Sequence, residues 1–246
     1  MKLIAHGAEA KVFLIKGEKI NSNYFFKINI DNKNLEIEYA KEFLILKYRY
    51  PKKYRHPSID ANFRKYRTRR EARILKRLSN LINVPELVYY NEDEGILCLE
   101  YIDGKKLSDN LENLNYKDLM YLVGKQIGMI HKNKIVHGDL TTSNIILYQD
   151  KVYFIDFGLS YFSSRIEDYA VDIHLLKEAL ESKHWKIFED AFNSFLEGYK
   201  DSFSEKYTWI LIFLWCFPLE NLPKVSCENI HRELTFKDIT MRYSNC

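Results

Sequence analysis

Apolar and polar positions follow two different periods in the two halves of the chain. Up to about residue 46 the apolar residues come in short runs separated by turn formers. Val12 to Ile15 is one such run, and Phe25 to Ile30 alternates in part before the turn cluster Asp31-Asn32-Lys33-Asn34. Leu35 to Tyr39 and Phe43 to Leu46 predict two further strands. Ser58 reads as the N-cap of a helix from about Ile59 to Leu81, and Ile96 to Tyr101 as an apolar strand after the Glu94-Gly95 break. Beyond the polar stretch around Asp103-Gly104 the period lengthens. Tyr116 to Lys134 carries Leu119, Leu122, Val123, Ile127 and Ile130 at helical spacing. A strand is predicted at the end of the irregular segment Ile135 to Tyr148, and another over Val152 to Asp156. Helices are predicted over Ala170 to Glu181, Trp185 to Tyr199 and Glu205 to Phe217. The pattern is α+β: a strand-rich half with one helix, a hinge, then a helix-rich half, with no internal repeat.

Composition narrows this. Among 246 residues, 46% are apolar and 15% aromatic, with only 5 Pro and 9 Gly, which excludes a wholly disordered chain. Cys98, Cys216, Cys227 and Cys246 form no C-x-x-C pair, so neither a zinc site nor a disulfide framework is expected. The start shows no apolar run of signal-peptide length, and the run inside Trp209 to Leu219 is too short to span a bilayer. No membrane partner is expected, and the default compartment is the cytoplasm, or the nucleus as well in a eukaryote. Charge is uneven: Lys47 to Arg77 holds thirteen basic and two acidic residues, a net +11 against −8 for the rest of the chain. That asymmetry suggests a polyanionic partner, with a solvated helix face as the plainer reading.

The chemistry concentrates in His137-Gly138-Asp139-Leu140-Thr141-Thr142-Ser143-Asn144, followed by Ile155-Asp156-Phe157-Gly158. Phosphoryl transfer needs a carboxylate to orient the nucleophile and oxygen ligands for magnesium beside the phosphates. Asp139 can be the first, and Asn144 and Asp156 supply oxygens suited to a hard cation. The spacing from Asp139 to Asn144 is that of protein-kinase-like catalytic loops. His6-Gly7-Ala8-Glu9-Ala10, between two predicted strands, can form a phosphate-covering turn from its backbone N–H groups, or a simple hairpin turn. Glu71 lies on or beside the face of its helix that carries Ile74, Leu75 and Leu78, where an unpaired carboxylate is costly. A strand lysine would resolve it. Asp172, beside Leu175 and Leu176, can hold the catalytic loop through backbone N–H groups or be an ordinary first-turn acid.

At this point the chain resembles the PRPK-type kinase-ATPases, the small atypical kinases of the KEOPS complex. The matching stretches are Gly7 to Ala10, Lys47 to Pro57, Arg67 to Arg73, Glu100 to Gly104, His137 to Asn144, Ile155 to Gly158 and Glu167 to Asp172. The resemblance covers about residues 2 to 200. It implies a minimal two-lobed protein-kinase-like fold, with residues 1–101 as the N-lobe and 102–246 as the C-lobe. It implies ATP and Mg2+ as ligands, with Gly7, Ala8 and Glu9 over the phosphates, Lys47 as the ATP-contacting lysine and Glu71 as its partner. Glu100 and Ile102 then belong to the adenine-binding hinge, Asp139 is the catalytic aspartate, and Asn144 and Asp156 hold the metal. The implied partners are a threonylcarbamoyl-transferase subunit, other KEOPS subunits and tRNA, for which Arg64, Lys65, Arg69 and Arg70 are the contact candidates. The implied function is ATP hydrolysis and autophosphorylation in support of threonylcarbamoyl-adenosine formation in tRNA.

Three features depart from the pattern. Gly7 to Lys47 is longer than usual by about one hairpin, and Lys27 in Phe25-Phe26-Lys27-Ile28 sits at the ordinary kinase distance, although the motif around Lys47 is the more specific. The tail after about Ser202 does not match, and His6 precedes the glycine where a smaller polar residue is expected. A free-standing serine/threonine protein kinase is the alternative function, but only nine residues separate Gly158 from Asp168 and no Ala-Pro-Glu motif follows. A small-molecule phosphotransferase lacks its acceptor-binding insert here, and a vestigial binding module is disfavoured by the intact Asp139, Asn144 and Asp156.

Overall fold

The structure is a computed structural model and describes residues 1–7, 9–31 and 33–216. Its elements run β1 (Lys2–His6), β2 (Lys11–Lys16), β3 (Glu18–Ile20), β4 (Asn23–Ile30), β5 (Lys33–Tyr39), β6 (Phe43–Tyr48), α1 (Pro57–Leu78), β7 (Leu87–Asn91) and β8 (Ile96–Glu100). They continue through β9 (Lys105–Lys106), α2 (Leu107–Asn110), α3 (Tyr116–Lys132), β10 (Ile135–Val136), β11 (Ile145–Tyr148), β12 (Lys151–Phe154), β13 (Tyr161–Phe162), α4 (Ile166–Lys183), α5 (Phe188–Ser202) and α6 (Ser204–Cys216). This is the α+β arrangement of a strand-rich first part and a helical second part. Among the described residues no helix is long and apolar enough to cross a membrane.

An antiparallel sheet ordered β1-β2-β6-β8-β7 forms the first part. A separate antiparallel sheet, β3-β4-β5, is inserted between β2 and β6. It accounts for the extra length between Gly7 and Lys47. The two sheets share one core because their strands alternate. Phe26, Ile28 and Ile37 from the insert meet Ile15, Leu44, Leu46, Ile96 and Cys98 of the larger sheet. Burying each such aliphatic or aromatic side chain is worth about 1.5–3 kcal/mol. The same alternation leaves Lys27 exposed, opposite Glu36. Burial with no nearby cation pushes the Cys98 thiol up to about 12, which makes it an inert core residue.

The second core is larger and crosses the boundary between the two parts. Ile74, Leu75 and Leu78 of α1 and Leu97 and Leu99 of β8 pack in the same cluster as the helices that follow. Helices α3 and α5 approach at backbone distance. A Cβ at Gly124 would stand 1.9 Å from the Phe195 carbonyl oxygen, and one at Gly198 would stand 1.9 Å from that of Tyr121. Only the absence of side chains at both positions permits this contact.

Several boundaries differ from the sequence reading. Helix α1 starts at Pro57 with His56 as N-cap, so Ser58 is not the cap. Proline's fixed φ suits the first helical position, and the Ser58 hydroxyl is engaged with His56 Nδ1 at 2.8 Å. Helix α1 ends at Leu78, where Ser79 and Ile82 close the last turn through backbone bonds to Leu75 and Leu78. Helix α4 begins earlier than predicted, at Ile166. Helix α5 begins later, at Phe188, because Trp185 lies in the turn closed by Ile187 N–H donating to the His184 carbonyl. The predicted helix to Phe217 is present as α6 through Cys216; Phe217 and the rest of the divergent tail lie outside the described residues.

Candidate functional site

The site lies between the larger sheet and the β11–β12 hairpin, and each of its side chains is delivered by a specific local rule. Lys47 is near the end of β6 and Arg49 follows directly after the strand; two apart on extended backbone, they leave on one face. Both meet Glu71 on the inner face of α1. Lys47 Nζ donates to Glu71 Oε1 at 2.9 Å, and an Arg49 guanidinium N–H donates to Glu71 Oε2. Lys47 Nζ also donates to Asp156 Oδ1 at 2.6 Å. Glu71 is 1% exposed, so the predicted cost of a carboxylate on an apolar face is met by two cations. Arg49 is the partner that sequence reasoning missed, although the Lys-x-Arg alternation on a strand was a signal for it.

Electrostatics here are mutual. Burial pushes the Glu71 pKa up, but Lys47 and Arg49 outweigh it and hold the carboxyl below its ordinary range. Burial pulls Lys47 down, and the carboxylates of Glu71 and Asp156 reverse this and hold it above its ordinary value. Burial likewise opposes ionisation of Asp156, while Lys47 and the Gly158 N–H keep it low. Asp156 adopts a left-handed backbone, φ 60°, and its own side chain accepts from Gly158 N–H at 3.2 Å. That local bond offsets a conformation that costs about 1–3 kcal/mol for a non-glycine residue.

Asp139 and Asn144 flank the bend between β10 and β11. The Asn144 amide donates to both the Asp139 carboxylate and the Asp139 carbonyl, at 2.9 Å each. The amide oxygen of Asn144 is thereby left as an acceptor. In the β11–β12 hairpin Ile145 pairs with Phe154, and Ile155 N–H donates to the Asn144 carbonyl at 2.9 Å, which brings Asn144 and Asp156 side by side. Asp156 keeps a second carboxylate oxygen without a hydrogen bond among the described residues, and its side chain is 48% exposed. The Asn144 amide oxygen and the second Asp156 carboxylate oxygen are hard donors on neighbouring residues and fit a magnesium ion, while the Asn144 amide N–H and the other Asp156 oxygen serve Asp139 and Lys47.

The loop itself is hung from Asp172 on α4. His137 N–H and Gly138 N–H each donate to its carboxylate at 2.8 Å. Gly138 sits at φ +77°, and a Cβ there would lie 2.7 Å from the Leu159 carbonyl oxygen. Asp172 is fully buried. Burial raises its pKa, and hydrogen bonding from His131, with the nearby His137, overrides this and lowers it. Sequence reasoning anticipated the backbone bonds but missed their support: His131 Nε2 meets Asp172 at 3.1 Å, and His131 Nδ1 meets the Tyr199 hydroxyl at 2.8 Å. His131 falls on the buried stripe of α3 one residue after Ile130, which was the available signal.

The remaining predicted residues are placed as follows. Gly7 N–H donates to the Ala10 carbonyl at 3.0 Å across the β1–β2 turn, while Ala8 lies outside the described residues. The Glu9 carboxylate is pinned by Arg55 at 3.0 Å and Arg67 at 2.7 Å. Glu100 ends β8, accepts from Glu86 N–H at 3.1 Å and pairs with Lys41, and Ile102 is buried just beyond. Lys27 meets none of these residues.

The basic block is not one solvated cationic face. Lys47, Arg49 and Lys52 are buried. Arg64 donates to Asp60 at 2.9 Å, Lys65 pairs with Asp93 at 2.7 Å, Arg69 is bidentate on Glu92, and Arg70 lies over the Tyr66 ring. Much of the +11 is compensated locally, and the acids that do so lie outside the block or inside α1.

These buried groups make stability depend on pH. Burial lowers the pKa of His137 and of His184 below the ordinary 6.5. The unfolded chain therefore takes up those protons first, and stability falls as pH drops below about 6.5. Glu71, Asp156 and Asp172 have depressed folded values, so their contributions are present above the ordinary carboxylate range and are lost as pH falls through it. Thermal melting across pH should be flat above 7, decline below about 6.5 and steepen below about 4. Replacing His137 with Asn should remove part of the first decline. An unchanged profile in that variant would contradict the assignment.

Comparison with known proteins places the chain. The RIO domain family model matches residues 22–167. A KEOPS complex subunit Bud32 from Pyrococcus abyssi is 45% identical over 203 residues, covering 81% of this chain and 85% of the relative. The chain belongs to the RIO-domain family and is of the Bud32 type. An EKC/KEOPS complex subunit BUD32 from Kluyveromyces lactis is 41% identical to this Bud32-type chain over 182 residues, covering 65% of it and 68% of the relative. A probable bifunctional tRNA threonylcarbamoyladenosine biosynthesis protein from Methanothermobacter thermautotrophicus is 42% identical over 156 residues, covering 63% of this chain. The match spans only 29% of that protein's length.

Proposed function

We propose that this chain is an ATP-dependent kinase-ATPase that works as the Bud32-type subunit of a KEOPS-like assembly, in support of threonylcarbamoyl-adenosine formation in tRNA. The observation that carries the chemistry is the connected set Asp139–Asn144 and Asp156–Lys47–Glu71. The named relatives support the assembly, the threonylcarbamoyl-transferase partner and the tRNA.

In this reading Asp139 orients the attacking hydroxyl and accepts its proton as the new oxygen–phosphorus bond forms and the bond to the γ-phosphorus from the bridging oxygen breaks. Asn144 holds the Asp139 carboxylate in place and, with Asp156, offers oxygens to magnesium. When bound, the ion supplies positive charge beside the phosphates. Lys47, fixed between Glu71 and Asp156, presents its ammonium to the phosphates, and the Gly7–Ala10 turn covers them from above. Glu100 to Ile102 leads from β8 and lines the adenine side.

The acceptor is water or a side chain of the assembly. Between Gly158 and α4 the chain makes only β13, which pairs back on β10, and Ser163 N–H donates to the Lys134 carbonyl. This short segment offers little platform for an extended peptide, which disfavours a free-standing protein kinase. For tRNA, Lys65 and Arg69 remain contact candidates, since exposed ion pairs are worth about 0–1 kcal/mol and can be exchanged for phosphates, and Arg70, which lies over the Tyr66 ring, is a third. Arg64 is the weaker candidate, because Asp60 and the Arg49 carbonyl hold it. Single-turnover reaction with γ-labelled ATP tests the acceptor: label should appear in inorganic phosphate and in the chain itself. Faster labelling of a generic serine/threonine peptide than of either would favour the free kinase.

A further inference from the structure

Beside the β1–β2 turn lies a lysine that the scheme above does not use. Strand β6 pairs with β2 as far as Tyr48 opposite Lys11, so the chain leaving it, Arg49 to Lys52, starts at the level of the turn. Tyr50 fixes that path. Its hydroxyl shares a hydrogen bond with His6 Nε2 at 3.1 Å, and its ring takes Lys11 Nζ at 4.8 Å and Lys52 Nζ at 3.5 Å from the centroid. Two ammonium groups thus converge on one aromatic ring next to Gly7.

Lys52 is 8% exposed, and burying an ammonium with no counter-anion is unfavourable. The other cations around the turn have anions: Arg55 and Arg67 hold Glu9, Arg64 holds Asp60, and Lys47 and Arg49 hold Glu71. Among the described residues Lys52 and Lys11 have no ion pair. An aromatic face can hold a cation in place but leaves its donors for another acceptor. A second anion, supplied from outside the chain, completes the site.

We infer that Lys52, steadied on Tyr50, is a second phosphate-binding lysine that contacts the terminal phosphate of the nucleotide from the turn side, opposite Lys47. The inference rests on the nucleotide lying beneath the Gly7–Ala10 turn. It predicts that Lys52 reads the length of the phosphate chain and contributes nothing to recognition of the base.

Calorimetric titration of the full chain with a non-hydrolysable ATP analogue and with AMP, each with magnesium, tests this. Lys52→Met should weaken the triphosphate by about ten-fold or more and leave AMP within roughly two-fold. Lys52→Arg should restore most of the loss, and the melting temperature should be nearly unchanged. Should Lys52→Met not fold, Lys52→Gln keeps a long polar side chain and gives the same comparison. Equal losses for both nucleotides, or no loss for either, would overturn the inference and leave Lys52 as a packing residue on Tyr50. Lys47→Met separates the two levels. A loss of triphosphate affinity there, with none in Lys52→Met, overturns the role of Lys52 alone. No loss in either variant overturns the nucleotide site itself.

Discussion

Replacing Asp139 with Asn should lower ATP turnover by about 10²–10⁴-fold, the usual contribution of a positioned general base, while nucleotide affinity changes little. The geometry explains why the effect should fall on the chemical step. Asp139 is tied to the loop by Asn144, and the loop hangs from Asp172 by the His137 and Gly138 N–H groups. None of those bonds needs the negative charge of Asp139, so the variant should fold and bind. Only the proton acceptor is lost. Turnover within a few-fold of wild type would assign the role to another residue. Asp156→Ala should differ, since it removes a magnesium oxygen and a partner of Lys47, and nucleotide affinity should fall together with turnover.

The second large effect separates two lysines. Lys47→Ala should reduce turnover by about 10²–10³-fold, the scale for losing one preorganised charge-stabilising donor, whereas Lys27→Ala should leave it within roughly two-fold. Lys47 lies between Glu71 and Asp156, and Lys27 points outward from the inserted sheet. Glu71→Ala should act on stability as well. It strands Lys47 and Arg49 without their carboxylate, and breaking a buried pair costs about 3–5 kcal/mol. Denaturant unfolding of the Glu71 variant beside turnover of the two lysine variants checks all three. A Lys27→Ala defect equal to that of Lys47→Ala would move the phosphate contact onto the inserted sheet.

How much of this was legible in the sequence depends on the range of each interaction. Strands β2, β4, β5 and β6 follow from local alternation, and α3 follows from its apolar stripe, so local patterns located them closely. The catalytic loop and the Asp156 turn were readable because their chemistry is carried by residues close in sequence. Glu71 could be flagged as needing a cation, because one helix face carries the conflict. The residues alone left Lys47 and Lys27 both open as that cation, and only the motif around Lys47 favoured it. The structure decides because β6 lies in the larger sheet while β4 lies in the inserted one, with Lys27 exposed opposite Glu36. The start of α1 was misplaced by one hydroxyl: Ser58 resembles a cap, but with Pro57 at the first helical position the helix begins two residues earlier. The charge block misled for a related reason. A run of cations in sequence says nothing about Asp93, Glu92 or Glu9, which reach it from a strand turn and from the opposite hairpin. His131 and Tyr199 come from α3 and α5, brought together by the glycine contact of those helices, and no local pattern announces such a pair.

The most direct measurement is reconstitution of threonylcarbamoyl-adenosine formation on tRNA with the chain, its threonylcarbamoyl-transferase partner and the other assembly subunits, following inorganic phosphate released from γ-labelled ATP by this chain. The account predicts that phosphate release rises when partner and tRNA are added, and that Asp139→Asn abolishes both the release and the multiple-turnover modification while the assembly still forms. Full modification and undiminished phosphate release with Asp139→Asn would contradict it.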